Sequence, residues 1–256
     1  MRRRSFLKTA AFAPMLLSPS KIFAQDFDLI IRSGRGIDPS LNLDTVADVG
    51  ILNGRIANIA PSIVSDGADE INAVNKIVIP GLLDIHSHYA RDDQGPHICL
   101  SDGVTGWVDA GSAGADNIDE IVAVARSAPQ PARILLNIGR LGVIPEGDTA
   151  DISLANVEVA KSAIARNLDY VVGVKARLTS GVTANDIVVI RRAQEVASYF
   201  KLPLMIHMGQ SESTMPSLLA ELKPGDVVTH MYAPPPNAII DEDGRIFSEV
   251  LEARRR

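Results

Sequence analysis

From Leu82 onward, the sequence alternates short apolar runs with segments of helical spacing, and this alternation constrains the fold more than any other feature. Between the runs, apolar residues recur at i, i+3, i+4 and i+7, as in the stripe of Ile118, Ile121, Val122 and Ala125. Repeated β/α units of this kind form a parallel sheet or barrel of the α/β class. Six strands are predicted, at 82–86, 104–110, 133–141, 171–175, 204–208 and 227–232.

A second helical stripe follows the fourth run. Its apolar residues fall on one helical face between positions 189 and 200, and Thr183 lies three residues before Asp186. A hydroxyl residue followed by an acid at this spacing is typical of a capping box at the start of a helix. The sequence therefore predicts that this helix opens at Thr183.

Residues 25–80 carry a different pattern. Two apolar runs, 46–52 and 55–59, are separated by Asn53-Gly54, a pair that favours the type I′ turn of a β-hairpin. A third run, 76–79, stops before Pro80. We predict a small antiparallel β domain of sandwich type at 25–80, followed by a barrel domain at 81–256.

The first 24 residues have the layout of an export signal. The segment Arg3-Arg4-Ser5-Phe6-Leu7-Lys8 precedes the apolar run 10–17, and the small residue Ala24 closes it. This arrangement resembles the twin-arginine signal, which a receptor reads on folded proteins. An ordinary secretory signal that begins with arginines is the alternative. The sequence predicts a twin-arginine signal peptide at 1–24 and a periplasmic protein.

Charge and cysteine content exclude several classes of function. Beyond residue 24 the chain has 20 basic and 31 acidic residues, a net charge of −11. Such a chain disfavours nucleic acid and anionic lipid as partners. Cys99 is the sole cysteine, so a disulfide framework or a CxxC metal site cannot form, and we interpret it as a small buried residue. No cysteine lies near Ala24, so no membrane anchor is expected.

Histidines occur at or just beyond the ends of three predicted strands. His86 and His88 are two residues apart, so both side chains lie on one face of an extended segment. His207 and His230 end two further apolar runs. Because the carboxyl ends of barrel strands open onto one mouth, these four imidazoles are expected to converge on a metal. His97 lies in a polar segment and is interpreted as structural.

Lys175 continues an apolar strand, where a bare cation is costly to bury. The side chain is therefore expected to lie at the barrel rim or to be paired, neutralised or modified. A neutral lysine amine beside two metal ions can take up carbon dioxide, and the carbamate supplies two oxygens that bridge the ions. A buried stem with its amine in water at the rim is the structural alternative.

These motifs, in this order, resemble the amidohydrolase superfamily. The matching segments are 54–57 (Gly-Arg-Ile-Ala), 77–88 (Ile-Val-Ile-Pro-Gly-Leu-Leu-Asp-Ile-His-Ser-His), 103–112 and 173–177 (Gly-Val-Lys-Ala-Arg), followed by His207 and His230. The resemblance extends from about residue 27 to the end of the chain. More narrowly, the sequence is similar to amidohydrolase/deacetylase metallohydrolases, which are related to dihydroorotases and D-aminoacylases.

The resemblance implies a TIM-like (β/α)8 barrel, a small β domain and a binuclear site, usually of zinc. His86 and His88 would hold the more buried ion, N6-carboxylated Lys175 would bridge both ions, and His207 and His230 would hold the second. A water that bridges the ions would lose a proton near neutral pH and attack an amide or ester carbonyl. An aspartate that closes the eighth strand would shuttle the proton to the leaving group.

The length departs from this family pattern. Six β/α units are predicted, whereas eight units at the same spacing need roughly 60 residues more. We therefore expect a C-terminally truncated barrel without the strand-8 aspartate, which leaves the catalytic residue unknown. No other acid is a convincing substitute, because Asp84 and Asp109 lie within strands and Asp241 and Asp243 lie in a turn-like segment.

The leading hypothesis is a metal-dependent hydrolase of N-acyl or cyclic amides, or of related esters, that acts on small molecules. The alternatives are an inactive truncated fragment that retains partial metal binding and a cyclic-amide hydrolase of the dihydroorotase or hydantoinase type. A homo-oligomer, or completion by a separate C-terminal fragment, is also left open. Arg177 and Tyr89 are candidates to contact a substrate carboxylate or carbonyl, with a rim salt bridge or a packing role as the alternative.

Overall fold

The computed structural model describes residues 26–235 and 237–256, so the signal predicted at 1–24 lies outside the described residues. The chain divides into two compact units, one that ends at Pro80 and one that runs from Gly81 to Arg256. Within the described ranges, each helix is too short or too polar to cross a membrane.

The unit before Gly81 is built around one mixed β-sheet. Its strands are β1 (Leu29–Asp38), β2 (Leu43–Leu52), β3 (Arg55–Ala60), β4 (Asp69–Asn72) and β5 (Ile77–Val78). β2 pairs antiparallel with both β1 and β3, whereas β4 and β5 run parallel to β1.

This arrangement corrects the expectation of an antiparallel domain of sandwich type. Residues 26–80 form a single five-stranded sheet in which β4 and β5 pair in succession along the same edge of β1. Apolar alternation indicates which face of a strand is buried, but it carries no information about the direction of the neighbouring strand. The connections decide that direction: residues 61–68 return the chain to the starting end of β1, and residues 73–76 carry it onward from β4 to β5 along the same edge.

The hairpin between β2 and β3 forms as predicted. Asn53 and Gly54 both have positive φ, 53° and 70°, which is the geometry of a type I′ turn. The largest buried side chains of this unit, Phe27, Ile30 and Ile63, form its small apolar core.

The second unit is a parallel β/α array. Its elements are β6 (Leu82–Ser87), α1 (Gly95–Ser101), β7 (Val104–Ala110), α2 (Ile118–Ser127), β8 (Ala132–Asn137), α3 (Val157–Arg166), β9 (Val171–Leu178), α4 (Asp186–Phe200), β10 (Leu204–Met208), α5 (Met215–Ala220), β11 (Val227–Thr229) and α6 (Ser248–Arg255). The spatial order of the strands follows the sequence, and every neighbouring pair is parallel. The prediction of six β/α units in an α/β fold is confirmed.

The sheet curls until its first and last strands approach each other. His86 Nδ1 at the end of β6 lies 2.6 Å from Thr229 Oγ1 at the end of β11. The described residues contain no hydrogen-bonded ladder between these two strands. The result is a nearly closed barrel of six strands, with both ends of the sheet meeting at its carboxyl mouth.

Side chains alternate across the barrel strands. On β10, Leu204, Ile206 and Met208 are fully buried in the main core between sheet and helices. The intervening Met205 and His207 point to the opposite, inner face, since residues two apart share a face. Met205 belongs to a separate apolar cluster, and His207 lines a cavity at the mouth. Burial of the outer face thus fixes which strand residues reach the site.

Helix α4 begins at a different cap from the one predicted. The side chain of Asn185 accepts a hydrogen bond from the Val188 amide, so Asn185 is the N-cap. Thr183 Oγ1 instead donates to the carbonyl of Arg177. The predicted capping box is wrong because both residue types can cap a helix, and tertiary packing engages the threonine elsewhere.

Candidate metal centre

Three imidazoles meet at the carboxyl mouth of the barrel. His86 lies on β6, His207 on β10 and His230 directly after β11, and their ligand nitrogens lie within 4.8 Å of one another. The ring centroids of His86 and His230 are 4.9 Å apart, and those of His207 and His230 are 4.4 Å apart. His230 has a φ of 66°, an uncommon left-handed conformation for this residue type. Nitrogen donors grouped in this way are typical of a transition-metal site.

Lys175 and His88 lie beside this cluster. Lys175 on β9 is 3% exposed, and its Nζ is 3.0 Å from His86 Nε2. The His88 ring centroid is 5.9 Å from that of His86. All five predicted ligands line one cavity of about 290 Å³, together with Arg91, Ala110, Asn137, Val143 and Arg177.

Burial controls the protonation of the histidines. Burial lowers the pKa of His86 and that of His88 to about 4. Burial, followed by the charge of the neighbouring His230, lowers the pKa of His207 to about 3. Burial, followed by the charge of Lys175, also lowers the pKa of His230. All four imidazoles are therefore neutral near pH 7, which is the form that binds metal.

Burial also lowers the pKa of the Lys175 amine. Burial lowers its pKa from 10.5 to about 7, against the opposing charges of Asp109 and Asp148. About half of the amine is neutral at pH 7, the form whose lone pair can react with an electrophile. The alternative of an amine that reaches water at the rim does not hold, because the side chain is buried.

A hydroxyl group lies beside Nδ1 of His86, on β6, and another lies beside Nδ1 of His88, directly after β6. Thr229 Oγ1 lies 2.6 Å from His86 Nδ1, and Ser112 Oγ lies 2.7 Å from His88 Nδ1. Ser112 in turn donates its hydroxyl and its amide to the carboxylate of Asp109. Burial raises the pKa of Asp109, and the two bonds from Ser112 oppose that shift. These contacts engage Nδ1 of each histidine, so each Nε2 remains available on the cavity side, where that of His86 lies 3.0 Å from Lys175 Nζ.

The buried carboxylate of Asp148 accepts a hydrogen bond from Arg177. Arg177 Nη2 donates to Asp148 Oδ1 at 2.8 Å, and Asn137 Nδ2 donates to Asp148 Oδ2 at 2.9 Å. Asp148 is 1% exposed, and burial raises its pKa against the Asn137 hydrogen bond and the Arg177 charge. Arg177 thus forms a salt bridge while it lines the cavity. Tyr89 instead packs edge-to-face on Trp107 and is not among the cavity residues.

A glycine allows the end of β7 to approach Lys175. Gly111 has a φ of 84°, and a Cβ at this position would lie 2.7 Å from Lys175 Cβ. Real side chains do not tolerate so short a distance, so any larger residue would displace the backbone or the lysine.

The remaining candidates from the sequence lie in ordinary surroundings. His97 is exposed on α1, and Cys99 is a buried free thiol. Asp84 accepts a hydrogen bond from the His86 amide, and Asp241 accepts bonds within its own turn.

Four residues at the site escaped the sequence reasoning: Asp148, Asn137, Thr229 and Ser112. Ser112 closes the matched segment 103–112, which is the only local signal among them. Asp148 lies in the loop between β8 and α3, where neither periodicity nor spacing marks it.

The fold and the cluster define a barrel of the α/β class with a candidate metal centre at its carboxyl mouth. No family model matches the chain. A deacetylase of Enterococcus faecalis is 30% identical over 225 residues, which are 85% of this chain and 60% of that protein. A dihydroorotase of Solibacter usitatus is 29% identical over 187 residues, 70% of this chain and 41% of that protein. The chain therefore spans about half the length of these curated relatives.

The chain also superposes on solved structures of three enzymes. An adenine deaminase superposes with a TM-score of 0.76 at 27% identity, covering 90% of this chain and 64% of the other. A dihydroorotase also gives a TM-score of 0.76, at 22% identity, over 88% and 63%. An N-acyl-D-glutamate deacylase from Bordetella bronchiseptica, in complex with zinc and a phosphonate inhibitor, gives 0.57 at 17% identity, over 77% and 48%. The last two show a shared fold.

These relatives and solved structures support the similarity of the chain to the amidohydrolase superfamily over part of those proteins' length. The resemblance recognised from its motifs is thereby confirmed.

Proposed function

We propose that this protein is a metal-dependent hydrolase of small-molecule N-acyl or cyclic amides, or of related esters. The proposed ligands of two zinc ions are His86, His88, Lys175, His207 and His230. The proposal rests mainly on the three imidazole nitrogens that lie within 4.8 Å of one another beside a buried lysine. Similarity to a deacetylase and a dihydroorotase supports the amide-bond chemistry.

The donor set fits a transition metal. Neutral imidazoles suit zinc and its first-row neighbours, and burial keeps all four neutral near pH 7. When bound, the ions supply Lewis-acid chemistry, in which the pKa of a water falls and a carbonyl is polarised.

Lys175 would contribute as a carbamate. Its neutral amine attacks the carbon of carbon dioxide, a C–N bond forms, and the nitrogen releases one proton to solvent. The product carries a negative charge on two oxygens, which suits a position between two cations. The low pKa of Lys175 supports this step, because an ordinary lysine amine is almost entirely protonated at pH 7.

A second candidate is a metal-binding protein without turnover. The described residues that line the cavity include no aspartate or glutamate, so a carboxylate to carry the proton to a leaving group is lacking there. Asp148 is committed to Arg177 and Asn137. Binding and hydrolysis therefore need separate measurements.

The first measurement is the metal content of the purified 256-residue chain by mass spectrometry. We expect about two zinc ions per chain in wild type and a loss of zinc in His207→Ala. His97→Ala is the matched control, because His97 is exposed on α1 outside the cavity. A wild-type chain that binds no zinc would contradict the proposal.

The second measurement is turnover by the zinc-loaded chain on N-acyl amino acids, dihydroorotate, hydantoins and adenine. Hydrolysis of N-acyl substrates alone favours a deacetylase, and ring opening favours the dihydroorotase-like alternative. Zinc binding without turnover on any substrate favours the second candidate. Full activity after removal of all metal would exclude the metal-dependent mechanism.

We also propose that residues 1–24 direct export to the periplasm by the twin-arginine route. The motif Arg3-Arg4-Ser5-Phe6-Leu7-Lys8 supports this. Residues 1–24 fused to a folded fluorescent reporter should reach the periplasm, whereas the double variant Arg3→Lys and Arg4→Lys should stay inside the cell. Equal export of both fusions would favour an ordinary secretory signal.

A further inference from the structure

A chain of hydrogen bonds lies behind His88. Ser112 Oγ is 2.7 Å from His88 Nδ1 and donates to Asp109 Oδ2 at 2.8 Å. The Ser112 amide donates to the other carboxylate oxygen, Oδ1, at 2.7 Å. Asp109 is fully buried and Ser112 nearly so, so water does not compete for these bonds.

The direction of these bonds follows from counting protons. The Ser112 hydroxyl has one proton, and it donates that proton to a carboxylate, which can only accept. Its oxygen is then an acceptor for the proton on His88 Nδ1. A neutral imidazole carries a single ring proton, so Nε2 is left with a lone pair.

We infer that Asp109 and Ser112 select the Nδ1–H tautomer of His88 and aim its Nε2 lone pair into the cavity. Both are positioning residues that act through His88. The use of that lone pair to bind zinc rests on the proposed function, whereas the tautomer itself does not. A hydrogen-bonded outer nitrogen fixes the ring orientation of a ligand, and its loss typically weakens metal binding about 10–100-fold.

His86 provides an internal comparison. Its Nδ1 meets Thr229 Oγ1 at 2.6 Å, and among the described side chains His86 is the one that this hydroxyl contacts. Thr229 therefore lacks a carboxylate that would fix the direction of its proton. The tautomer of His88 is thus set by two groups in series, the Ser112 hydroxyl and the Asp109 carboxylate. At His86, a hydroxyl that can either donate or accept lies at Nδ1, and the Lys175 amine lies 3.0 Å from Nε2.

The same three residues could also form the chain with every hydrogen bond reversed. A protonated Asp109 would donate to Ser112, Ser112 would donate to His88 Nδ1, and the ring proton would sit on Nε2. Replacement Asp109→Asn should produce this reversal, because an amide nitrogen can donate to the Ser112 oxygen.

The direct test is ¹⁵N NMR of histidine side chains in metal-free protein at pH 7. The His88 signals are assigned by their loss in His88→Gln. We expect a protonated Nδ1 in wild type and in Ser112→Thr, a mixture of tautomers in Ser112→Ala, and a protonated Nε2 in Asp109→Asn. A protonated Nε2 in wild type, or an unchanged tautomer in Ser112→Ala, would overturn the inference whether or not zinc binds.

Zinc affinity, measured by competition with a chelator, gives a second readout. Ser112→Ala should weaken binding about 10–100-fold, and Ser112→Thr should recover most of the loss. Ser211→Ala is the matched control, because Ser211 is also buried and hydrogen-bonded, but to Ser213 and Asn237 and not to a proposed zinc ligand. Equal affinity of Ser112→Ala and Ser211→Ala would refute the positioning role. Absence of zinc from wild type would instead refute the proposed function.

Discussion

Replacement of Lys175 with methionine is expected to stabilise the metal-free protein at neutral pH. Burial lowers the pKa of Lys175 from 10.5 to about 7, and the side chain is 3% exposed. The unfolded chain keeps an ordinary lysine pKa, so it binds more protons than the folded chain between about pH 7 and 10.5. Wild-type stability therefore rises with pH across this window.

The size of the effect follows from the shift. One pKa unit corresponds to about 1.36 kcal/mol, so the buried amine opposes folding by about 4 kcal/mol at pH 7 and about 2 kcal/mol at pH 9. Methionine removes the charge and fills irregular space well. The advantage of Lys175→Met should thus fall by about half between these pH values, and the variant should lose zinc affinity.

The assay is urea unfolding of metal-stripped protein at pH 7, 8 and 9 in buffer free of carbon dioxide. Lys223→Met, at an exposed lysine, is the control and should change the unfolding free energy by less than about 0.5 kcal/mol. A Lys175→Met protein that is less stable than wild type, or a difference that stays constant from pH 7 to pH 9, would refute the reasoning.

Three further changes test the surroundings of the site. Arg177→Met leaves the carboxylate of Asp148 buried without its ion partner and should lower the free energy of urea unfolding by about 3–5 kcal/mol. Addition of Asp148→Asn should recover part of that loss, and no recovery would show that the loss is one of packing. Gly111→Ala meets both a positive φ and the Lys175 side chain and should destabilise the protein by about 1–3 kcal/mol, so an unchanged melting temperature would contradict the close approach. Zinc at about 1,000 times its Kd should stabilise wild type by about 4 kcal/mol, a shift that a chelator reverses and that His207→Ala lacks.

The six barrel strands were predictable because burial on parallel strands leaves a local signature. β7 and β10 have the bounds expected from their apolar runs, and the positions of His86 and His207 on the strands followed directly. The predicted strand at 133–141 was too long, since β8 ends at Asn137. The apolar residues beyond it, such as Ile138, continue into a buried loop that periodicity alone does not separate from a strand.

The direction of strand pairing in the first unit was not predictable in this way. β4 and β5 are short, and most of their residues are exposed. They pair with β1 through backbone groups that every sequence has, so the residues themselves carry little record of the partner. The same reasoning applies to the cap of α4, where Asn185 and Thr183 were equally suited by residue type.

By itself, the sequence determined the class of fold, the order of donor residues along the chain and the resemblance to a superfamily, because these depend on local periodicity and on motifs of a few residues. Only the tertiary structure decided that Lys175 is buried at 3.0 Å from His86, that Ser112 and Asp109 stand behind His88, and that Asp148 supports Arg177. These contacts join residues that are up to 89 positions apart. Their pKa shifts and proton positions arise from desolvation and from neighbours that come together only when the sheet curls.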